Sequence, residues 1–163
     1  MRLNEAIENN RAWTTQRIED DPMFFKRLAR GQKPSILYIG CSDSRVTAEE
    51  MLGAGPGDLF VHRNIANLIP NNDHISNTVI NFAIHDLRVK SIVVCGHYGC
   101  GGVHEQCINL LKVAEVQNAY STEGLVLAGW VFDMATGWII DLKLDIDTIV
   151  DSIRDIYSIA EEV

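Results

Sequence analysis

Ile36-Leu37-Tyr38-Ile39-Gly40-Cys41-Ser42-Asp43-Ser44-Arg45 and Ser91-Ile92-Val93-Val94-Cys95-Gly96-His97-Tyr98-Gly99-Cys100-Gly101-Gly102-Val103 decide how this chain is read. Each begins as a short apolar run of strand character and leads, through a turn, into a helix-like segment. Strand, turn and helix in succession predict an α/β fold with a mostly parallel central sheet flanked by helices. Open sheets of this kind bind ligands beyond the carboxyl ends of their strands, where Cys41, His97 and Cys100 could meet. Two thiolates and an imidazole make a zinc site. Structural zinc is closed by four protein ligands, whereas catalytic zinc keeps three and leaves a position for water or substrate. The fourth position here is open, or is filled reversibly by Asp43.

The chain has 163 residues, 47% hydrophobic and 22% charged, which suits one soluble domain with a substantial core. A net charge of −8 argues against nucleic-acid binding, and there is no polybasic membrane anchor. The N-terminal residues lack the apolar core of a signal peptide, and no apolar run is long enough to span a bilayer, so the expected location is the cytoplasm. In that reducing compartment the cysteines at 41, 95, 100 and 107 are better read as ligands or core residues than as disulfides. Cys95 and Cys107 take the core reading.

Leu3 to Ile18 is a weak helical pattern with too little apolar surface to fold alone, so it should pack on another part of the protein or on a partner subunit. Asp21-Pro22 starts a second helix that ends at Gly31. Thr47 and Glu50 have capping-box spacing for a short helix, and Leu59 to His62 reads as a strand ending at Arg63-Asn64. Residues 74–88 predict a helix with Ile75, Val79, Ile80, Phe82, Ala83 and Leu87 on its apolar side. Another helix opens after Cys100-Gly101-Gly102-Val103, and its amides would favour negative charge at the metal. Leu125–Phe132 and Trp138–Leu142 predict a hairpin turning at Met134–Gly137, followed by a helix over Ile146–Ile159. The division is a helical arm over 1–31, a zinc-site core over 32–106, and a helix, hairpin and helix over 107–163.

Three motifs in this order, Cys41 to Arg45, Val61-His62-Arg63-Asn64-Ile65-Ala66-Asn67 and Cys95 to Val103, resemble those of a β-class carbonic anhydrase. The likeness covers residues 9–106 well and the Gly129 to Leu142 hairpin loosely. It implies an enzyme that interconverts carbon dioxide and bicarbonate on one zinc ion per chain, working as a homodimer or higher homo-oligomer. Zinc lowers the pKa of bound water, to about 7 in the three-histidine carbonic anhydrase that is the known example, so that hydroxide can attack carbon dioxide. Two thiolates donate more charge than two imidazoles, so groups around the ligands must help.

Asp43 can accept the hydrogen of that hydroxide and Arg45 can hold the carboxylate by a bidentate contact, a dyad that orients the nucleophile. Standing alone the two would read as a surface pair in a turn. The resemblance adds that Asp43 binds zinc in an inactive state. It also places Gln32, Phe60, Ile65, Phe82 and Gly101 around the substrate, partly from a neighbouring subunit; Phe60 and Phe82 equally suit core packing. A noncatalytic bicarbonate site known in some members would fall at Tyr38, Arg63 and Phe132, where only the arginine is retained, which argues against that regulation; Arg63 is instead expected to be structural, bonding carbonyls or a carboxylate near the sheet end. His62, His74, His85 and His104 read as surface or packed residues. Two other activities share the pattern: hydrolysis of carbonyl sulfide or carbon disulfide, which the intact dyad disfavours, and zinc or bicarbonate binding without turnover.

Only 25 residues separate Val103 from Gly129, where the family places several helices. Cys107 to Ala119 supplies one helical pattern. The chain is therefore a short form, or a loop has been cut out between residues 105 and 124, which an overlong Cα step would reveal.

Overall fold

The computed structural model describes residues 1–157. These divide into two compact units, Met1–Gln32 and the remainder from Lys33 onward. In the first, α1 (Leu3–Asp20) and α2 (Phe24–Leu28) contain no buried residue. Trp13, Phe24 and Phe25 meet edge to face, with centroids 5.0–6.2 Å apart, and the Arg17 guanidinium lies over Trp13 and Phe24. Such ring pairs contribute about 0.5–1.5 kcal/mol each beyond their buried area.

The second unit is built on five strands: β1 (Ile36–Cys41), β2 (Leu59–Asn64), β3 (Ser91–His97), β4 (Val126–Asp133) and β5 (Trp138–Asp141). Their order is β2-β1-β3-β4-β5; the first four run parallel and β5 pairs antiparallel with β4. A parallel pair needs a crossover. These are supplied by α3 (Ala48–Met51), by α4 (His74–Asn81) with its π-helical continuation Phe82–Leu87, and by α5 (Val103–Leu111) with α6 (Ala114–Glu123); α7 (Ile146–Tyr157) follows the hairpin. The Ile159 end of the helix expected there lies outside the described residues. Among the described residues no helix is long and apolar enough to cross a membrane.

The continuous apolar runs of β1 and β3 are explained by burial on both faces. Leu37, Ile39, Ile92 and Val94 face a core completed by Ile69, Ile80, Ala83, Leu110 and Val116. Tyr38, Val93 and Cys95 face the other side with Ala48. Burial stabilises each large aliphatic side chain by about 1.5–3 kcal/mol. Cys95 and Cys107 are buried free thiols, as expected.

Three local expectations are corrected. Thr47 makes no side-chain bond to the backbone of α3; its hydroxyl donates to the Glu50 carboxylate at 3.0 Å, so the box does not close. Ile75 is 70% exposed, because the buried side of α4 is set by Ser76 and Ile80. Residues 103–123 form two helices, since Val113 is extended (φ −76°, ψ 121°) and caps α6. The backbone at this joint is bonded from Lys112 N–H to Asn109 O and from Val116 N–H to Val113 O. Gly124, in the left-handed region at φ 70°, then turns α6 into β4.

Gly40 is required by a neighbour on its own strand. A Cβ there would lie 2.3 Å from Tyr38 Cε1, because the buried tyrosine ring folds over position 40. Gly40→Ala should therefore lower the unfolding free energy by about 1–3 kcal/mol, the usual cost of overpacking. In a Tyr38→Leu background, denaturant titration should show that loss largely removed.

Candidate metal centre

The strand order places the site. Leaving β1 the chain moves to one side, to β2, and later returns to β1's other side as β3, so β1 and β3 straddle the point where the sheet's winding reverses. Gly40 pairs with Cys95, which leaves Cys41 ending β1 and His97 ending β3 at one edge. The turn after β3 returns Cys100 to the same place, its N–H donating to His97 O at 3.0 Å, while Gly99 takes a left-handed φ of 76°. The donor atoms of Cys41, His97 and Cys100 lie within 4.8 Å of one another. A tetrahedral zinc with Zn–S of about 2.3 Å holds its sulfurs roughly 3.8 Å apart.

The histidine is prepared as a ligand. His97 Nδ1 lies 3.0 Å from Tyr98 O and can only donate there, which fixes the tautomer and leaves Nε2 as the acceptor. That Nε2 is buried and has no hydrogen-bond partner among the described residues. A lone pair aimed between two sulfurs suits a cation. The thiols agree with this. Burial pushes the Cys41 thiol up, but the Asp43 amide, His97, the Ala66 amide and Cys100 outweigh it and bring it down to about 7. Burial and the neighbouring Cys41 push Cys100 up. Close thiols accept one negative charge readily and resist the second. A bound dication removes that conflict, so these residues fit zinc.

Asp43 accepts both arms of Arg45, Nε to Oδ1 at 3.0 Å and Nη2 to Oδ2 at 2.7 Å, along with the Arg45 amide at 3.0 Å. Those bonds hold its carboxyl far below the usual carboxylate range. Its Oδ2 is 3.6 Å from His97 Nε2, within reach of the centre but beyond a hydrogen bond. Arg63 fixes the loop that carries this carboxylate. Its guanidinium donates to Cys41 O at 3.0 Å, Asp43 O at 2.7 Å and Val46 O at 2.6 Å, so of the two structural partners expected for it, carbonyls or a carboxylate, it takes the carbonyls.

The other expected residues divide. Phe60 and Phe82 are brought together, ring centroids 5.8 Å apart, with Phe60 against the core and Phe82 41% exposed. Gly101 packs against Ala66: a Cβ on it would lie 3.0 Å from Ala66 Cβ. Ile65 is 75% exposed, and Gln32 is the exposed last residue of the N-terminal unit. Tyr38 is buried in the core. An open cavity of about 640 Å³ between α6 and α7 shares no residue with the centre. Sequence reasoning missed Asn67, which is fully buried with Oδ1 3.2 Å from Cys100 Sγ. Its only signal was its place in the second motif.

Residues 36–109 match the family described as carbonic anhydrase. A carbonic anhydrase of Emericella nidulans is 37% identical over 207 positions, covering 97% of this chain and 91% of the relative. That alignment exceeds this 163-residue chain by 44, so the relative carries at least 44 residues that this chain lacks. Among solved structures, one of two tetrameric β-carbonic anhydrases of the ascomycete Sordaria macrospora superposes with a TM-score of 0.84 at 31% identity, covering 87% of this chain and 97% of its own. A β-carbonic anhydrase of Aspergillus fumigatus gives 0.78 at 30%, covering 95% and 98%. With the mostly parallel sheet and the Cys-His-Cys cluster at its edge, these likenesses establish that the chain belongs to the β-class carbonic anhydrases.

Proposed function

We propose that this enzyme hydrates carbon dioxide reversibly to bicarbonate and a proton, with one zinc ion held by Cys41, His97 and Cys100. The observation that carries the reading is the buried, unpartnered Nε2 of His97 facing two thiols. When bound, zinc supplies Lewis acidity that makes water a nucleophile near neutral pH.

The protein's part is orientation. Asp43 remains ionised beside Arg45 and accepts the hydrogen of the attacking oxygen, turning a lone pair toward the substrate carbon. With both of its oxygens bonded to Arg45, the carboxylate is held by the guanidinium, and solvent would complete the shell of a zinc held by Cys41, His97 and Cys100. Arg63 keeps Asp43 in place through the backbone, and Phe60 and Phe82 supply an apolar wall for a substrate with no dipole. Ile65, Leu68, Phe82 and Tyr98 are large apolar side chains left substantially exposed. That exposure, together with the tetrameric relatives of Sordaria macrospora, supports a homo-oligomer in which a second copy covers them.

Stopped-flow measurement of carbon dioxide hydration tests the activity: it should be lost on treatment with a zinc chelator and restored by zinc. Hydration that persists after complete metal removal would overturn the reading. Asp43→Ala should retain one zinc per chain by elemental analysis and lose about 100-fold or more in kcat/KM, the scale of a misdirected nucleophile. Unchanged turnover in that variant would remove Asp43 from the mechanism.

A further inference from the structure

Asn67 is placed in a manner that core packing does not explain. It is a wholly buried amide, its Oδ1 is 3.2 Å from Cys100 Sγ, and its Nδ2 has no partner among the described residues. Two successive left-handed residues hold it there, Ala66 at φ 60° and Asn67 at φ 48°. Asparagine tolerates that region and alanine does so less readily. Two glycines make room. A Cβ at Gly96 would lie 2.9 Å from Asn67 Oδ1 and 2.7 Å from Val103 Cγ2, and one at Gly101 would lie 3.1 Å from Ala66 O. The Ala66 amide faces the Cys41 sulfur, so one turn reaches both sulfurs of the centre through consecutive residues.

The chemistry changes when the cysteine gives up its proton. A thiol can donate to Oδ1, whereas a thiolate has no hydrogen and would confront that oxygen with like charge. The oxygen and nitrogen of an amide are nearly the same size, and rotation by 180° exchanges them. Nδ2–H, without a partner in the first orientation, then points at sulfur. We infer that Asn67 is a positioning residue of the metal centre, donating an N–H···S hydrogen bond to the Cys100 thiolate in the loaded enzyme. The bond withdraws charge from one of two strongly donating ligands and so keeps the zinc electrophilic, as a two-thiolate centre requires. The inference rests on Cys41, His97 and Cys100 being the ligands.

Cobalt(II) substitution and cadmium-113 NMR test it on the intact chain. Asn67→Asp is isosteric and, ionised, cannot donate; Asn67→Ala removes the group. Both should still bind one cobalt, with the sulfur-to-cobalt charge-transfer band moved to lower energy and zinc affinity weakened about 10–100-fold in chelator competition. In cadmium-113-loaded wild type, which needs no substitution, a side-chain N–H proton of Asn67 should shift downfield and show scalar coupling to the metal. An uncoupled, unshifted Asn67 amide, or a charge-transfer band unchanged in both variants, would overturn the proposed bond. A wild-type cobalt protein lacking any sulfur charge-transfer band would instead overturn the ligand set beneath it.

Discussion

The parallel pairing of β1 with β3 is the constraint on which the rest depends. Gly40 opposite Cys95 carries the two strands out of the sheet at the same edge, one with Cys41 and the other with His97. A slip of one residue would exchange the faces of every side chain on the slipped strand. The register is held by burial on both sides: Leu37 and Ile39 with Ile92 and Val94 on one face, Tyr38 with Val93 and Cys95 on the other. The glycine at position 40 belongs to the same constraint, because the ring of Tyr38 occupies the space a side chain would need.

Around that edge the backbone is bound mainly by side chains. Arg63, from the neighbouring strand, gathers three carbonyls of the loop that follows Cys41. Asn64 does the same for the next turn, its amide donating to Leu68 O and accepting from Leu68 N–H, both at 2.7 Å. Gln106, at the start of α5, accepts from the buried Ile69 amide at 2.6 Å. The loop that carries Asp43 and Arg45 is thus tied at its backbone by side chains from neighbouring elements.

Much of this was legible in the sequence because its signals are local. Continuous apolar runs marked the buried parallel strands, and the cysteines and histidine lie within a few residues of strand ends, so strand order alone brings them together. Asp43 and Arg45 were legible for the same reason, being two residues apart in one turn. What escaped depended on packing between distant elements. Ile75 follows the apolar period of α4 yet faces outward, because the sheet takes up the side with Ile80. The break between α5 and α6 rests on the backbone angles of Val113, a residue with no helix-breaking character. Nothing in the spacing showed that Asn67 would reach a cysteine 33 positions away.

Two sulfurs and one imidazole of this chain are proposed to hold a single zinc ion, with the remaining position taken by solvent. X-ray absorption at the zinc K-edge of the purified enzyme measures this directly. Two sulfur neighbours at about 2.3 Å and two nitrogen or oxygen neighbours at about 2.0–2.2 Å are expected. A shell of four sulfurs, or one without sulfur, would contradict it.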